Sequence, residues 1–150
     1  CVCTPGQIQR YLSKISGPLL DRIDIQCEIS PLPFRDLSKA EQGESSTDIR
    51  ERVLRARRIQ TERFKNYPNI HCNAQMSERM IHEFIEPDDQ SLEILRKAME
   101  NLKLSARAYN RILKVARTIA DLEASPKVQV HHIAEAIGYR SLDRGDWGER

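Results

Sequence analysis

The segment from Ser105 to Glu123 constrains the fold more than any other part of the chain, because its apolar side chains recur with the period of an α-helix. These side chains are Ala108, Tyr109, Ile112, Val115, Ala116, Ile119 and Leu122. Spaced in this way, they form one apolar face opposite a polar one. Such a helix is stable when other elements cover its apolar face, so the sequence predicts a helical bundle around it.

Most of the remaining chain also has helical patterns. A first helix is predicted to begin at a capping box formed by Thr4 and Gln7, and the turn at Leu19–Arg22 follows it. Further helices are predicted over residues 48–65, 77–85, 87–102 and 130–140. Aromatic residues make up only 5% of the chain, so its core is built mainly from aliphatic side chains. The predicted fold class is therefore mainly α.

One short segment has the alternating pattern of a β-strand instead. Ile23, Ile25, Cys27 and Ile29 alternate with polar residues, and Pro31 ends the run. Cys27 falls on the apolar side of this pattern and is predicted to be a core residue. A lone strand cannot satisfy its own backbone groups, so it either pairs with a strand outside this sequence or forms an edge that pairs with another partner. This favours a longer parent protein.

These patterns predict four successive segments. Residues 1–35 would be the strand-containing end of an α/β core, and residues 36–47 a flexible polar loop. Residues 48–142 would form a helical domain, and residues 143–150 a charged tail that frays.

Composition and missing motifs exclude several classes of protein. No apolar run is long enough to span a bilayer, no signal peptide is visible, and the four cysteines lack the spacing of a secreted disulfide scaffold. We therefore expect a cytoplasmic protein with no membrane contact. The net charge of +2 is too small to indicate nucleic-acid binding by itself. Because a P-loop and paired acidic residues after a strand are missing, we expect the chain alone to be inactive as an ATPase.

Two groups of cations are candidate anion-binding residues. Arg22 lies between a tight turn and the predicted strand, where a rigid backbone would aim its planar guanidinium group at a phosphate. Arg107, Arg111 and Lys114 follow one stripe of the long helix near its N-terminus, where free backbone N–H groups favour anions. On pattern alone, solvated surface cations explain both groups as well.

The predicted helix over residues 48–65 is rich in arginine. Arg55 and Arg58 are candidates for contact with DNA phosphates. A solvated face and a contact between subunits are equally open interpretations of this helix. His131 and His132 are interpreted as a capping or partly buried pair rather than as metal ligands.

Three stretches make the sequence similar to a known family. Residues 4–25, which end in Leu-Leu-Asp-Arg-Ile-Asp-Ile, resemble the end of the ATPase core in the Mg-chelatase-like (ComM/YifB) AAA+ family. Residues 105–122 resemble the C-terminal helical lid of that family. Residues 132–144, with His-Ile-Ala-Glu-Ala-Ile and then Tyr-Arg-Ser-Leu-Asp-Arg, resemble its usual ending. The stretch over residues 31–91 matches less distinctively.

The resemblance implies roles for particular residues. Arg22 would be an arginine finger that reaches the γ-phosphate bound to a neighbouring subunit, and Arg107 would be the sensor 2 residue of the lid, with Arg111 as a further nucleotide contact. ATP and Mg²⁺ would be cofactors of the full-length protein. Cys1 and Cys3 would be half of a cysteine cluster that could hold Zn²⁺ there, although no metal is expected in this part alone.

The resemblance also implies a function for the intact protein. Identical subunits would form a ring, expected to be a hexamer, that hydrolyses ATP and remodels DNA, as in branch migration during uptake of foreign DNA. Two alternatives stay open: a non-catalytic helical module that binds nucleic acid or protein, and the motor subunit of a metal chelatase. A P-loop in the full-length protein would separate the ATPases from the binding module.

Overall fold

The computed structural model describes residues 2–27, 29–31 and 43–140, and in these ranges the chain is mainly helical, as predicted. The described residues form seven α-helices and a short 3-10 turn. They are α1 (Pro5–Leu12), α2 (Gly17–Leu20), α3 (Ser46–Arg63), the 3-10 turn Asn73–Gln75, α4 (Glu78–Phe84), α5 (Asp89–Asn101), α6 (Ala106–Leu122) and α7 (Val130–Gly138). None of the described helices is both long and apolar enough to cross a membrane.

Helix α6 is the centre of the bundle, as its apolar period predicts. It packs against α3, α4 and α7, and α7 in turn packs against α5. The buried apolar side chains of these helices and of the residues that flank them join in one core, which includes Phe64, Met76, Ile81, Leu95, Ile112, Leu113 and Ile133. Burying a side chain of this size stabilises the fold by about 1.5–3 kcal/mol, so this core is the main reason why the helices assemble.

Short polar side chains determine where four of the helices begin. Ser45, Ser77, Asp88 and Ser105 each accept a hydrogen bond from the backbone N–H three residues ahead, at 3.2, 3.4, 2.8 and 3.2 Å respectively. Such a cap satisfies a backbone donor that the first turn leaves free and contributes about 1 kcal/mol. The cap at Ser45 also corrects the predicted loop over residues 36–47, because α3 already begins at Ser46.

The predicted strand is not formed in the described residues of its segment. Ile23, Ile25 and Ile29 are not part of a strand, and Cys27, expected in the core, is exposed. A strand needs a neighbouring strand for its N–H and C=O groups, and the described part of the chain contains no such neighbour. The remaining predicted strand residue, Glu28, lies outside the described residues, as do residues 36–42 and the predicted tail.

The segment that follows α2 is attached to the end of α7 instead. The backbone N–H of Gln26 donates to the carbonyl oxygen of Tyr139 at 2.9 Å. Arg140 is only 1% exposed, and its guanidinium group donates to the carbonyl oxygen of Ile23. These bonds join the N-terminal part of the chain to the helical bundle.

A buried charge cluster joins α3 to α6. The carboxylate of Asp121 accepts hydrogen bonds from Arg63 (2.7 Å), from Arg117 (2.9 Å) and from the side-chain amide of Asn73 (2.8 Å). Arg117 also donates to two backbone carbonyls just beyond α6, at 3.0 and 2.6 Å. Buried charges are tolerated when they are paired and fully hydrogen-bonded, and this cluster meets that condition.

Candidate functional site

A cavity of about 460 Å³ opens beside α6, the segment after α2 and the end of α7. Arg107, Arg111 and Lys114 line it from successive turns of α6. Residues at this spacing share one helix face, so the stripe predicted from the sequence is present as one cationic wall. The structure therefore brings Arg107 and Arg111 together, and their nucleotide-binding role stays a prediction.

Arg111 is paired with a carboxylate from the N-terminal part of the chain. Its Nη1 contacts Oδ1 of Asp24, which also lines the cavity. The side chains of this pair are 32% and 47% exposed. An ion pair with this much solvent contact contributes at most about 1 kcal/mol. A ligand with more negative charge than a carboxylate therefore competes readily with Asp24 for Arg111.

Lys114 is half-buried in the cavity wall. Its Nζ donates to the carbonyl oxygen of Ala74 at 3.0 Å. Burial lowers the pKa of Lys114 below its ordinary value, the positive charge of Arg111 adds to this effect, and Asp24 opposes it. The charged form of Lys114 is thus incompletely compensated, and a bound anion would relieve the repulsion between the two cations.

Arg107 lies in the first turn of α6 and is exposed. Within the described residues it has no hydrogen-bonding or ion-pair partner. It stands beside the start of a helix, where the helix dipole disfavours a cation and favours an anion. Of the three cations in the wall, Arg107 is therefore the one whose guanidinium group is available without breaking an existing bond.

The α7 side of the cavity rim carries a carboxylate and a phenol. Tyr139 Oη donates to Oε1 of Glu135 at 3.0 Å, and this hydrogen bond raises the pKa of Tyr139 above its ordinary value. Both residues line the cavity. Because the rim is acidic and the α6 wall is basic, an anion is expected to bind against α6.

Arg22 is separate from this cavity in its own chain. Its side chain is exposed, and Nη1 donates to the carbonyl oxygen of Pro18 at 3.0 Å. Arg22 is not among the residues that line the cavity. The structure therefore does not bring Arg22 together with Arg107 or Arg111 within one chain.

The remaining predicted site residues lie on other surfaces. Arg55 and Arg58 are exposed on α3 and do not line the cavity. Cys3 is a free, exposed cysteine, whereas Cys1 lies outside the described residues. The proposed zinc half-site of these two cysteines stays a prediction.

Glu123, His131 and His132 offer ligand atoms that lie within 4.8 Å of one another, as in a metal site. Both His Nε2 atoms are 3.0 Å from Oε2 of Glu123. However, Nδ1 of buried His132 accepts the backbone N–H of Gln129 at 2.8 Å. The neutral ring therefore carries its proton on Nε2 and donates it to Glu123. His132 caps α7 with a hydrogen-bonded ring, as the capping interpretation predicted, and does not present a free ligand atom.

Sequence reasoning missed the contacts that shape this site. The Arg111–Asp24 pair joins residues 87 positions apart, and the Arg140–Ile23 bond joins residues 117 positions apart. No local pattern reveals pairs of this kind. A signal was present for Arg117 and Asp121, since both are charged and lie among the buried alanines of α6; charged residues in such a position must be paired.

Comparison with known proteins places the chain in a family. Residues 43–140 match the family described as magnesium chelatase, subunit ChlI C-terminal, and residues 1–37 match magnesium chelatase, subunit ChlI. The chain is 43% identical over 142 residues to competence protein ComM of Haemophilus influenzae, which covers 94% of this chain and 27% of that protein. It is 41% identical over 143 residues to the proteins named YifB of Salmonella typhimurium and Escherichia coli, which covers 95% of this chain and 27% of each.

The chain thus spans about a quarter of the length (27%) of the curated relatives that it matches. The two family matches are arranged along it in the order that the sequence resemblance implies, and the larger one spans the helical bundle. On this evidence the chain belongs to the Mg-chelatase-like family of ComM and YifB, and residues 43–140 are its ChlI-type C-terminal domain.

Proposed function

We propose that this chain supplies the lid and the arginine finger of a ring-forming AAA+ ATPase of the ComM type. The ring, of identical subunits in the cytoplasm, couples ATP hydrolysis to DNA remodelling or branch migration. The observation that carries the proposal is the wall of α6, where Arg107, Arg111 and Lys114 line one cavity. The name of the relative ComM, a competence protein, supports the connection with DNA.

The α6 wall fits the phosphates of a nucleotide. Arg107 has no partner among the described residues, Arg111 has a weak and replaceable one in Asp24, and the pKa of Lys114 is lowered in part by its cationic neighbour. Each of these conditions favours an incoming anion. Arg107 and Arg111 would hold the phosphates by charge-assisted hydrogen bonds, and Mg²⁺ bound with the triphosphate would neutralise its developing charge.

Arg22 suits a role across a subunit boundary. Its side chain is exposed, and its bond to the Pro18 carbonyl occupies one of several guanidinium donors. The adjacent Ile23 is bonded to Arg140 of the helical bundle. A permanently charged group on an anchored segment can stabilise charge that develops on a phosphoryl group of a neighbour without costly reordering.

The direct test compares Arg22→Ala and Arg107→Ala in a protein of the relatives' full length. Arg22→Ala is expected to bind a fluorescent ATP analogue like the wild type and to lose hydrolysis by about 10³-fold or more. Arg107→Ala is expected to weaken nucleotide binding. Arg10→Ala, an exposed cation on α1, is the control and should change neither. ATP turnover at the wild-type rate in the Arg22→Ala variant would exclude Arg22 as an arginine finger.

DNA contact is proposed for the outer face of α3. Arg55 and Arg58 are three residues apart on the same exposed side of the helix. If both neutralise phosphates, the double substitution to alanine reduces the slope of log K for DNA binding against log salt concentration by about two. It also weakens binding to all sequences alike. Arg79→Ala on α4 is the matched control. An unchanged salt dependence in the double variant would exclude this face from DNA binding.

The magnesium chelatase description of the family favours one second candidate, an ATPase motor that inserts a metal ion. The two motors share the nucleotide chemistry and differ in what stimulates turnover. The ATP turnover of the full-length protein is expected to rise with branched DNA and to stay unchanged with a porphyrin-binding partner protein. Stimulation by the partner protein, with no response to DNA, would favour the chelatase motor instead.

A further inference from the structure

Two exposed surfaces of the helical bundle combine apolar side chains with charges of opposite sign. The first is the projecting start of α3. Ile49 and Val53 continue the stripe that buries Ala56 and Gln60 further along the helix, yet they are 42% and 46% exposed. Apolar side chains in this position extend the core-facing stripe beyond the core, and contiguous exposed apolar groups of this kind mark interaction surfaces.

The charge around this apolar stripe is strongly positive. Residues 49–58 contain five arginines and one glutamate. Arg52 is already paired with Glu44. Arg50 and Arg57 are seven residues apart, so both lie along one edge of the stripe. We name the apolar stripe and these two arginines the α3 ridge.

The second surface is a groove along α5. It has a volume of about 530 Å³ and runs between α5 and Tyr109 of α6. Leu92, which is 42% exposed, and Met99 form its apolar floor. Its lining carries three carboxylates against one guanidinium group. The carboxylates are those of Asp89, Glu93 and Glu100. Arg96 already pairs with Glu93 at 2.8 Å and with Glu100 at 2.7 Å, so the lining keeps an excess of negative charge but Asp89 is its unpaired carboxylate among the described residues. We name this surface the α5 groove.

We propose that the α3 ridge of one copy of this chain docks into the α5 groove of the next copy. The two surfaces lie on different parts of the bundle, because α3 packs on α6 whereas α5 packs on α7. A contact between two different surfaces of identical chains is head-to-tail, and it builds a closed ring or a filament rather than a two-fold dimer. Arginines opposite carboxylates and aliphatic side chains opposite an apolar floor give the contact its specificity.

The contact deepens the proposed ring, but it does not depend on nucleotide chemistry. It leaves Arg55 and Arg58 on a different side of α3 from the ridge. Successive helix residues are turned by about 100°, so Arg50 and Arg57 lie within about 20° of each other, whereas Arg55 and Arg58 lie roughly 80° or more away from both. It also uses no residue of the α6 cavity wall. Self-association can therefore be measured without ATP, and its failure is distinguishable from failure of the ATPase proposal.

Charge reversal with cross-complementation tests the contact. Variant one carries Arg50→Glu and Arg57→Glu on the ridge, and variant two carries Glu93→Lys and Glu100→Lys in the groove. Sedimentation equilibrium is expected to show concentration-dependent self-association of the wild-type chain and at least about tenfold weaker association of each variant alone. An equimolar mixture of the two variants should associate again, because each altered ridge then meets an oppositely charged groove.

Circular dichroism checks that both variants keep the wild-type helix content, and Val53→Asp gives an independent apolar test of the same ridge. Three outcomes overturn the proposal. They are a wild-type chain that stays monomeric up to about 1 mM, variants that associate like the wild type, and a mixture that stays dissociated. Loss of DNA binding by variant one with unchanged self-association would show that the ridge serves nucleic acid instead.

Discussion

Arg140, at the end of α7, donates a hydrogen bond from its buried guanidinium group to the backbone carbonyl of Ile23. A second bond, from Gln26 N–H to the Tyr139 carbonyl at 2.9 Å, lies beside it. The guanidinium group also lies 3.7 Å from the carboxylate of Asp21. These contacts attach the N-terminal segment to the ChlI-type C-terminal domain, so a displacement of α7 is expected to move the segment with it.

Arg140→Ala is expected to release this segment. Loss of a hydrogen bond to a charged donor costs about 1.5–3 kcal/mol of unfolding free energy, and the Gln26 amide should lose its protection from hydrogen exchange. Urea unfolding and native-state exchange measure the two effects. Arg10→Ala, which removes an exposed arginine from α1, should leave both unchanged. An Arg140→Ala chain with full protection at Gln26 contradicts this account of the attachment.

Asp121→Asn tests the buried charge cluster. The substitution keeps the shape of the side chain but leaves Arg63 and Arg117 without their counter-charge. Breaking a buried ion pair in this way costs about 3–5 kcal/mol. Glu62→Gln is the matched control, because its carboxylate is exposed and pairs with exposed Lys65; we expect a loss below about 0.5 kcal/mol there. Equal losses in the two variants would mean that the cluster is not stabilising.

The same cluster predicts a dependence of stability on pH. Burial acts to raise the pKa of Asp121, but hydrogen bonds from Arg63 and Asn73 and the charge of Arg117 prevail and hold this pKa below its ordinary value of 3.8. A carboxyl group with a depressed folded-state pKa contributes stability at pH values above its unfolded pKa. That stability is lost as the pH falls from about 4 towards the folded pKa.

Urea unfolding of the wild type and of Asp121→Asn at pH 7, 5, 4 and 3 isolates this effect, because the other carboxylates contribute to both proteins. The difference in unfolding free energy between the two is expected to be constant from pH 7 to 5 and to shrink below about pH 4. A difference that stays the same down to pH 3 contradicts the depressed pKa of Asp121.

Ala124→Gly is expected to stabilise the chain. Ala124 has a φ of 55° just after α6, and the N–H of Ser125 returns to the Ala120 carbonyl at 2.8 Å. Glycine is preferred in this left-handed position because it has no Cβ. We expect a gain of about 0.5–1 kcal/mol. Ala134→Gly in the exposed face of α7 should lose about 1 kcal/mol. Thermal melting of the two variants is therefore expected to give changes of opposite sign, and changes of the same sign would contradict the left-handed conformation of Ala124.

The helices were predictable from the sequence because the patterns that specify a helix lie within the segment that forms it. The apolar period over residues 105–123 identified α6, and Ser105 marked its start. The strand predicted from Ile23 to Ile29 is not formed in the described residues of this segment. Alternation reports only that one face is apolar, whereas a strand also needs a neighbour for its backbone groups. In the described residues the backbone N–H of Gln26 donates to the Tyr139 carbonyl at the end of α7 instead.

The candidate site was predictable only in part. The spacing of Arg107 and Arg111 put both residues on one face of α6, and the structure confirms that they share a cavity. The pairing of Arg111 with Asp24 and the buried contact of Arg63 with Asp121 were invisible, because they join residues 87 and 58 positions apart. Contacts at this range depend on packing of the whole bundle, which no single segment encodes.

The most direct test of the central proposal, that Arg22 serves a nucleotide on the neighbouring subunit, is the ATPase rate of mixed full-length subunits. Arg22→Ala subunits are mixed with subunits whose P-loop lysine is replaced, and each preparation alone is expected to be inactive. In an equal mixture, about a quarter of the subunit boundaries combine an intact nucleotide site with an intact Arg22, so we predict about a quarter of wild-type turnover. A mixture as inactive as its two components would contradict the proposal.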